Sequence, residues 1–236
     1  MSTHITSLTL DGLDKLSAHA RRCVFWEMDP AAVHSSRGSL DQEFEKEAWL
    51  SMVLLEWGSC GQVAVMDGKP VGSALYAPPR TVPRAQLFPT APVGADAVLL
   101  TSLRLEPAGE EQNLGTPLIQ AVVSDLVRRG VRALEAFGIR KSDDADVDAA
   151  DSANAAVAAA TAARECSPEE CMIPVELLEA NGFEIVAPHH RFPRLRLELH
   201  RDHEWKEDVE AALERLLKSA SISMVEIGER TPVGVR

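Results

Sequence analysis

Apolar positions along the chain recur first with the period of helices. Residues 8–26 and the segment after Asp41 place apolar side chains every three to four residues, which predicts two helices. Residues 28–39 between them are predicted to form a loop, because a Pro and a Gly interrupt the pattern. The apolar face of the second helix is predicted to be buried; it carries Phe44, Ala48, Met52 and Leu55.

The period then changes to that of strands. Residues 62–66 and 70–76 flank Asp67-Gly68, a dipeptide that readily adopts the positive φ angles of a tight hairpin turn. Residues 77–93 contain five prolines and are predicted to form a surface connection, because proline does not fit central strands. Residues 97–105 give the strongest strand signal in the chain.

The second half predicts a strand–helix–strand unit and a short helix with two further strands. A helix that Gly130 ends is predicted from the apolar stripe Leu114, Leu118, Val122 and Leu126. Strands are predicted at 131–139, 183–186 and 194–199, and a helix at 174–182. The element order therefore predicts an α/β (α+β) fold with a mixed, mostly antiparallel central sheet flanked by helices.

One segment breaks this order. Residues 141–170 are rich in Ala and Asp and are predicted to be a mobile insertion. We expect one domain over residues 1–200, an amphipathic helix over 201–219 that packs on it, and a tail over 220–236.

Composition narrows the expected partners. The 236 residues carry a formal net charge of −12, so attraction to nucleic-acid phosphates or anionic lipid is not expected. No apolar run approaches the length of a membrane span, and a cytoplasmic location is expected. Only Cys166 and Cys171 are close among the four cysteines, and no second cysteine pair matches them. We therefore expect reduced thiols and no metal.

Two motifs that follow one another along the chain resemble those of the GNAT N-acetyltransferase superfamily. The first is Leu103-Arg-Leu105-Glu-Pro107, followed by Leu114-Gly115-Thr-Pro-Leu118, and it is similar to the acyl-CoA motif of the family. The second spans residues 177–186, where a helix, a Gly-Phe turn and a strand follow one another. Together with the element order, the resemblance covers residues 8–199.

The resemblance implies acetyl-CoA as cosubstrate and two parallel strands that splay apart beside a helix. The pyrophosphate would lie at Asn113, Leu114, Gly115 and Thr116, because a helix N-terminus offers unpaired N–H groups to an anion. The pantetheine arm would run along Leu103 and Leu105. The implied reaction is acyl transfer to a primary amine of a small molecule or a protein by direct attack. A homodimer is compatible with the resemblance, since many such domains pair.

This chain departs from the family pattern in the phosphate-binding loop. Glu110 stands where the family has a cation, and Glu111 and Asn113 stand where it has glycines. A carboxylate about 6 Å from a phosphate would cost about 3 kcal/mol at an effective dielectric near 20, more than a helix dipole contributes. A second hypothesis is therefore a catalytically impaired GNAT-like module that binds acyl-CoA or a protein.

The sequence does not single out an acid or a base. Leu178 occupies the position at which many family members have a tyrosine acid, and Tyr76 cannot fill it. Conceivable bases are Glu106, Asp96, His189 and His190. The segment Phe25-Trp26-Glu27 could line an acceptor pocket, although such aromatics are more often core residues.

Overall fold

The computed structural model describes residues 2–35, 41–140 and 166–199. The described residues all belong to one compact unit that ends at Leu199. The predicted helix 201–219 and the predicted tail 220–236 lie outside the described residues. Residues 141–165 of the predicted insertion lie outside them as well. Residues 166–170 are described, and the last three of them begin a helical turn that ends at Cys171.

The described residues form one eight-stranded mixed sheet. Its strands are β1 (Thr3–Ser7), β2 (Gly61–Met66), β3 (Lys69–Ala77), β4 (Ala97–Leu105), β5 (Ala133–Ile139), β6 (Ile173–Pro174), β7 (Glu184–Ala187) and β8 (Arg194–Glu198). Their spatial order is β1-β2-β3-β4-β5-β8-β7, and β6 pairs with β5. The pairs β4–β5 and β5–β6 are parallel and the others are antiparallel, which confirms the predicted sheet.

Helices cover both faces of this sheet. They are α1 (Ala18–Arg22), α2 (Pro30–Ser35), α3 (Gln42–Glu56), α4 (Pro107–Glu111), α5 (Gly115–Arg128), α6 (Pro168–Cys171) and α7 (Val175–Ala180). Short 3-10 turns span Leu10–Lys15, Pro79–Thr81 and Pro83–Leu87. In the described ranges no helix combines the length and apolarity that crossing a bilayer requires.

The sheet separates two apolar cores. Leu99 packs with residues of α1 and α3 on one face. Its neighbours Val98 and Leu100 pack with residues of α5 and α7 on the other face. This alternation follows from the strand geometry, in which successive side chains point to opposite faces. Both faces of β4 are therefore buried over its first half.

The predicted helix over residues 8–26 is wrong in its extent. Leu10–Lys15 form a 3-10 turn instead, and α1 begins only after Ser17, whose hydroxyl accepts a hydrogen bond from the Ala20 amide. Just before this range, β1 pairs with β2 at the edge of the sheet. The predicted loop over residues 28–39 contains α2, in which the Asp29 carboxylate accepts from the Ala31 amide. The side-chain hydrogen bonds of Ser17 and Asp29 thus determine where these helices begin, and the spacing of apolar residues does not.

The helix predicted after Asp41 is confirmed as α3, but its predicted buried face is wrong. Asp41 caps the helix through the amides of Glu43 and Phe44. The residues predicted to be buried, Phe44, Ala48, Met52 and Leu55, are exposed. The buried face carries Lys46, Trp49, Leu50 and Val53 instead. A shift of two positions rotates a helix by about 200°, and the polar anchors at Lys46 and Trp49 determine which face turns inward.

The proline-rich connection over residues 77–93 is not confined to the surface. Its two 3-10 turns direct Val82, Ala85 and Phe88 into the core on the α1/α3 face. Phe88 stacks on Trp26, with 5.1 Å between the ring centroids. Proline excludes this segment from the sheet, yet the apolar residues between the prolines are still buried.

Candidate functional site

The parallel strands β4 and β5 pair only at their beginnings. Three residue pairs join them, from Ala97 opposite Ala133 to Leu99 opposite Glu135. Beyond that point β4 continues to Leu105, whereas the end of β5 pairs with β6. A wedge therefore opens between the two strands along residues 100–105 of β4.

A β-bulge lies where the wedge begins. On the neighbouring strand β3, Leu75 pairs with Ser102 and Tyr76 pairs with Leu100, which leaves Thr101 as an extra residue. The Thr101 hydroxyl donates a hydrogen bond of 3.0 Å to the Leu75 carbonyl. Bulges bend a strand and interrupt its pairing, which accounts for the divergence of β4 from β5.

The bulge also determines the lining of the wedge. Because one residue is added to the alternation, Leu103 and Leu105 join Val98 and Leu100 on the α5 side of the sheet. A Cβ atom at Gly115, the first residue of α5, would lie 3.7 to 3.9 Å from the side chains of Leu105, Leu103 and Leu177. Three leucines and the beginning of α5 therefore border the wedge.

Two backbone amides at the start of α5 are available to a ligand. The Leu114 amide donates to the Gly109 carbonyl, the Asn113 amide donates to the Glu110 carbonyl, and Pro117 has no N–H group. Within the described part of the chain, the amides of Gly115 and Thr116 have no hydrogen-bond partner. Two of the four residues predicted to bind pyrophosphate thus retain a free donor.

The loop between β4 and α5 is folded into the short helix α4, which lies against β3. A Cβ atom at Gly109 would lie 2.2 Å from the Val71 carbonyl oxygen, so only glycine fits this contact. The same carbonyl accepts a 2.9 Å hydrogen bond from the Glu106 amide. The close approach of the two backbones fixes where α5 begins.

The acidic residues of this loop face water. Glu110 and Glu111 are both exposed on α4. Solvent screens exposed charges strongly, so these carboxylates would repel a phosphate by less than the figure of about 3 kcal/mol expected at an effective dielectric near 20. Their exposure therefore makes the two glutamates a weaker obstacle to an anion at the start of α5 than the sequence predicts.

The bases considered from the sequence do not gather at the wedge. Asp96 precedes β4, at the end opposite to Leu105, and its hydrogen bonds to Arg196 lower its pKa. His189 Nδ1 accepts hydrogen bonds from the backbone amides of Arg191 and Phe192, in the turn before β8. His190 stacks against His189 there, with 4.2 Å between the ring centroids. Glu106 alone follows β4 directly, and it is half-buried.

Leu178, which replaces the family's tyrosine acid, and Tyr76, which cannot fill its position, are both core residues. Leu178 is fully buried in α7. Tyr76, the single tyrosine of the chain, donates a 2.8 Å hydrogen bond to Asp125, and burial raises its pKa. Neither side chain can deliver a proton to a group bound in the wedge.

A small cavity of about 20 Å³ reaches β4 from the α1/α3 face, and Leu103 is among its lining residues. Glu27 also lines it, and its side chain is only 2% exposed. Lys46 Nζ donates to Glu27 Oε1 at 2.5 Å, whereas Glu27 Oε2 has no partner among the described residues. Burial raises the pKa of Glu27 more strongly than Lys46 lowers it.

Glu27 is a candidate base that is not among the four conceivable bases predicted from the sequence. Phe25 and Trp26 are core residues, as expected of such aromatics. The usable sequence signal was a carboxylate directly after two buried aromatics, because a charge in that position must have a partner or a role.

The same cavity adjoins a cluster of sulfur and nitrogen ligands. The reactive atoms of His19, Cys23, Cys166 and Cys171 all lie within 4.8 Å of one another. The sequence prediction of no metal considered only pairs of cysteines. It therefore overlooked His19 and Cys23, which are one helical turn apart. The usable signal was a His-x-x-x-Cys spacing within an expected helix.

Comparison with known proteins finds a match only among solved structures. No protein-family model matches the chain, and no curated protein matches it. Similar structures include the PaiA N-acetyltransferase of Thermoplasma acidophilum, solved with coenzyme A (13% identity, TM-score 0.48, 84% of this chain and 99% of that one). The loading GNATL domain of CurA from Lyngbya majuscula shares 12% identity, with a TM-score of 0.49 and coverage of 84% and 98%.

A third similar structure is YncA of Salmonella typhimurium, a putative acetyltransferase solved with acetyl-CoA. It shares 14% identity, with a TM-score of 0.48 and coverage of 84% of this chain and 95% of that one. All three TM-scores are below 0.5. The strand order of this chain and its splayed parallel pair agree with the mixed, mostly antiparallel sheet that the sequence predicts.

Proposed function

We propose that this chain is an N-acyltransferase that moves an acyl group, with acetyl-CoA as the expected donor, to a primary amine. One observation carries the proposal: the parallel strands β4 and β5 part after Leu99, beside the two free amides of Gly115 and Thr116. An extended thioester with a diphosphate at one end fits such an arrangement.

The chain offers each part of this donor a matching surface. The amides of Gly115 and Thr116 and the positive end of the α5 dipole would hold the diphosphate. Leu103 and Leu105 would contact the pantetheine arm. The edge of β4 that β5 leaves unpaired offers backbone donors and acceptors, which a pantetheine amide can satisfy.

Glu27 is our proposed general base. A primary amine attacks a thioester only after it has lost a proton, and Glu27 Oε2 is a buried acceptor without a partner. The cavity of about 20 Å³ has room for about one water, which can relay the proton from the amine to Glu27. The thiolate can leave without an acid, because a thiol pKa near 8.5 makes it a fair leaving group.

The same carboxylate indicates the class of acceptor. An unpaired buried oxygen favours a cationic partner, so an alkylammonium group on a small molecule or a protein fits best. The net charge of −12 would further attract cations over a distance. We place the activity in the cytoplasm, where the free cysteines of the chain would remain reduced.

Calorimetry followed by a turnover assay tests this proposal. We expect the full chain to bind acetyl-CoA, and to release CoA, measured by chromatography, when a panel of primary amines is added. Chromatography is preferable to a thiol dye because the chain has four cysteines of its own. Absence of binding at millimolar acetyl-CoA would remove the proposal.

The alternative function is a module that binds acyl-CoA or a protein without turnover. It is favoured by Glu110 and Glu111 near the expected diphosphate and by Leu178 in the position of the acid. Binding of acetyl-CoA without release of CoA, for every amine in the panel, would support this alternative over the enzyme.

Neutralising the acidic loop is expected to strengthen binding of acetyl-CoA. At about 6 Å in water, each carboxylate weakens binding about threefold, so the double variant Glu110→Gln/Glu111→Gln should bind about tenfold more tightly at low salt. The gain should fall as ionic strength rises. Calorimetric titration at two salt concentrations measures it.

The matched control for this variant is Glu176→Gln/Glu179→Gln, which removes two charges from α7. If both double variants change the affinity equally, the effect is one of net charge and the diphosphate does not lie beside α4.

A further inference from the structure

Four metal-ligating side chains converge beside the cavity that Glu27 lines. His19 lies in α1 and Cys23 is its C-terminal cap residue, so the two are one helical turn apart. Cys171 ends α6, and Cys166 lies just before that helix. Cys23 Sγ lies 3.4 Å from Cys171 Sγ, which in turn lies 3.8 Å from His19 Nε2.

We propose that His19, Cys23, Cys166 and Cys171 bind one Zn²⁺ ion. Three thiolates and one imidazole form a common tetrahedral zinc site, with Zn–S distances of about 2.3 Å. Such a tetrahedron has edges of about 3.8 Å between sulfurs. The four ligand atoms already lie within 4.8 Å of one another, so the widest pair must close by only about 1 Å.

Binding of a divalent ion to these four side chains releases three protons and leaves a small net charge. On binding, three thiols release their protons and the neutral imidazole binds through Nε2, which requires its proton on Nδ1. Zn²⁺ and three thiolates leave one net negative charge. The adjoining cavity of about 340 Å³ is also lined by Arg22, Arg104 and Glu170, whose two positive charges and one negative charge leave one positive charge to compensate the site.

The donor set and its position indicate a structural ion. All four coordination positions are taken by the protein, which leaves none for a substrate or a water. The ion would join α1 to α6, two segments that are distant in sequence. The Cys171 carbonyl also accepts a 3.2 Å hydrogen bond from Trp26 Nε1, so the site is tied to the aromatic core.

A disulfide is the competing interpretation of the same cluster. All four cysteines of the chain are free, and the 3.4 Å between Cys23 Sγ and Cys171 Sγ is well above the bonded distance of about 2.05 Å. A disulfide would use two of the three sulfurs and give His19 no role. The convergence of all four ligand atoms favours the ion.

Metal analysis of the purified full chain tests the proposal. We expect about one zinc per chain after expression in zinc-containing medium, and the visible absorption of a tetrahedral cobalt–thiolate site after replacement with Co²⁺. Removal of the ion by a strong chelator should lower Tm by more than about 5 °C. These measurements need no variant that might misfold.

Variants then identify the ligands. Cys23→Ser and Cys171→Ser should retain less than about one tenth of the zinc. The variant His19→Cys replaces one ligand by another, so it should retain the zinc. Cys60→Ser is the matched control, because Cys60 is a buried thiol outside the cluster. The proposal is overturned if the reduced chain takes up no zinc, if Cys60→Ser loses zinc as Cys23→Ser does, or if mass spectrometry finds Cys23 in a disulfide.

Discussion

Replacing Glu27 with glutamine is expected to lower kcat by about 10²- to 10⁴-fold and to leave the Kd for acetyl-CoA within about twofold. Glutamine keeps the shape of the side chain and can still accept the hydrogen bond from Lys46. It cannot accept a proton from the amine. Because Glu27 lies on the α1/α3 side of β4, and the diphosphate would lie at α5, donor binding should be spared.

The pH dependence of this reaction follows from the direction of the Glu27 pKa. Burial raises that pKa, and only the ionised carboxylate can act as a base. Turnover should therefore rise with pH as Glu27 loses its proton, with a midpoint above that of an ordinary glutamate. A pH profile of kcat measures this limb, which should be absent in the Glu27→Gln variant.

The control for Glu27→Gln is Glu47→Gln, which makes the same change at an exposed position of α3. Its turnover should match that of the unmodified chain. Circular dichroism and Tm verify that both variants are folded. A Glu27→Gln variant that is folded and turns over within about threefold of the unmodified chain would exclude Glu27 as the base.

The second large effect is expected from two identical substitutions six residues apart. Gly109→Ala should destabilise the chain by about 2–3 kcal/mol and weaken acetyl-CoA binding, because its Cβ would lie 2.2 Å from the Val71 carbonyl oxygen. Gly115→Ala should be neutral or stabilise by up to about 1 kcal/mol, because its Cβ meets side chains at 3.7 Å or more. Denaturant unfolding measures both.

Each glycine variant serves as the control for the other. Neither position has a positive φ angle, so backbone strain does not separate them. Space around the Cβ atom is the difference under test. Equal losses of stability in the two variants would contradict the contact between α4 and β3, and with it the placement of the wedge.

The sequence predicts much of the sheet because its signals there are local. The apolar run of β4 and the Asp67-Gly68 turn identify their elements directly, and Asp67 and Gly68 do adopt positive φ angles. The buried face of α3 is not predictable in this way. Its orientation depends on Lys46 meeting Glu27 and on Trp49 meeting the Thr81 carbonyl, contacts that exist only in the folded chain.

The same distinction between local signals and contacts of the folded chain applies to the candidate site. The beginning of α5 can be located from Leu114-Gly115, because glycine and the apolar stripe are signals within one segment. The bulge at Thr101 is a property of the pairing between β3 and β4, so the strand sequence alone does not reveal it. The zinc ligands come from two distant segments, and only tertiary structure brings them together.

That distance has a consequence for biosynthesis. Cys23 and Cys171 lie 148 residues apart, so at 5–20 residues per second a ribosome needs about 7 to 30 s to complete the ligand set. For most of that interval a nascent chain can offer only His19 and Cys23 of the four ligands. The ligand set would thus be complete only after β1 to β5 have been synthesised, so scarcity of the metal would act late in maturation.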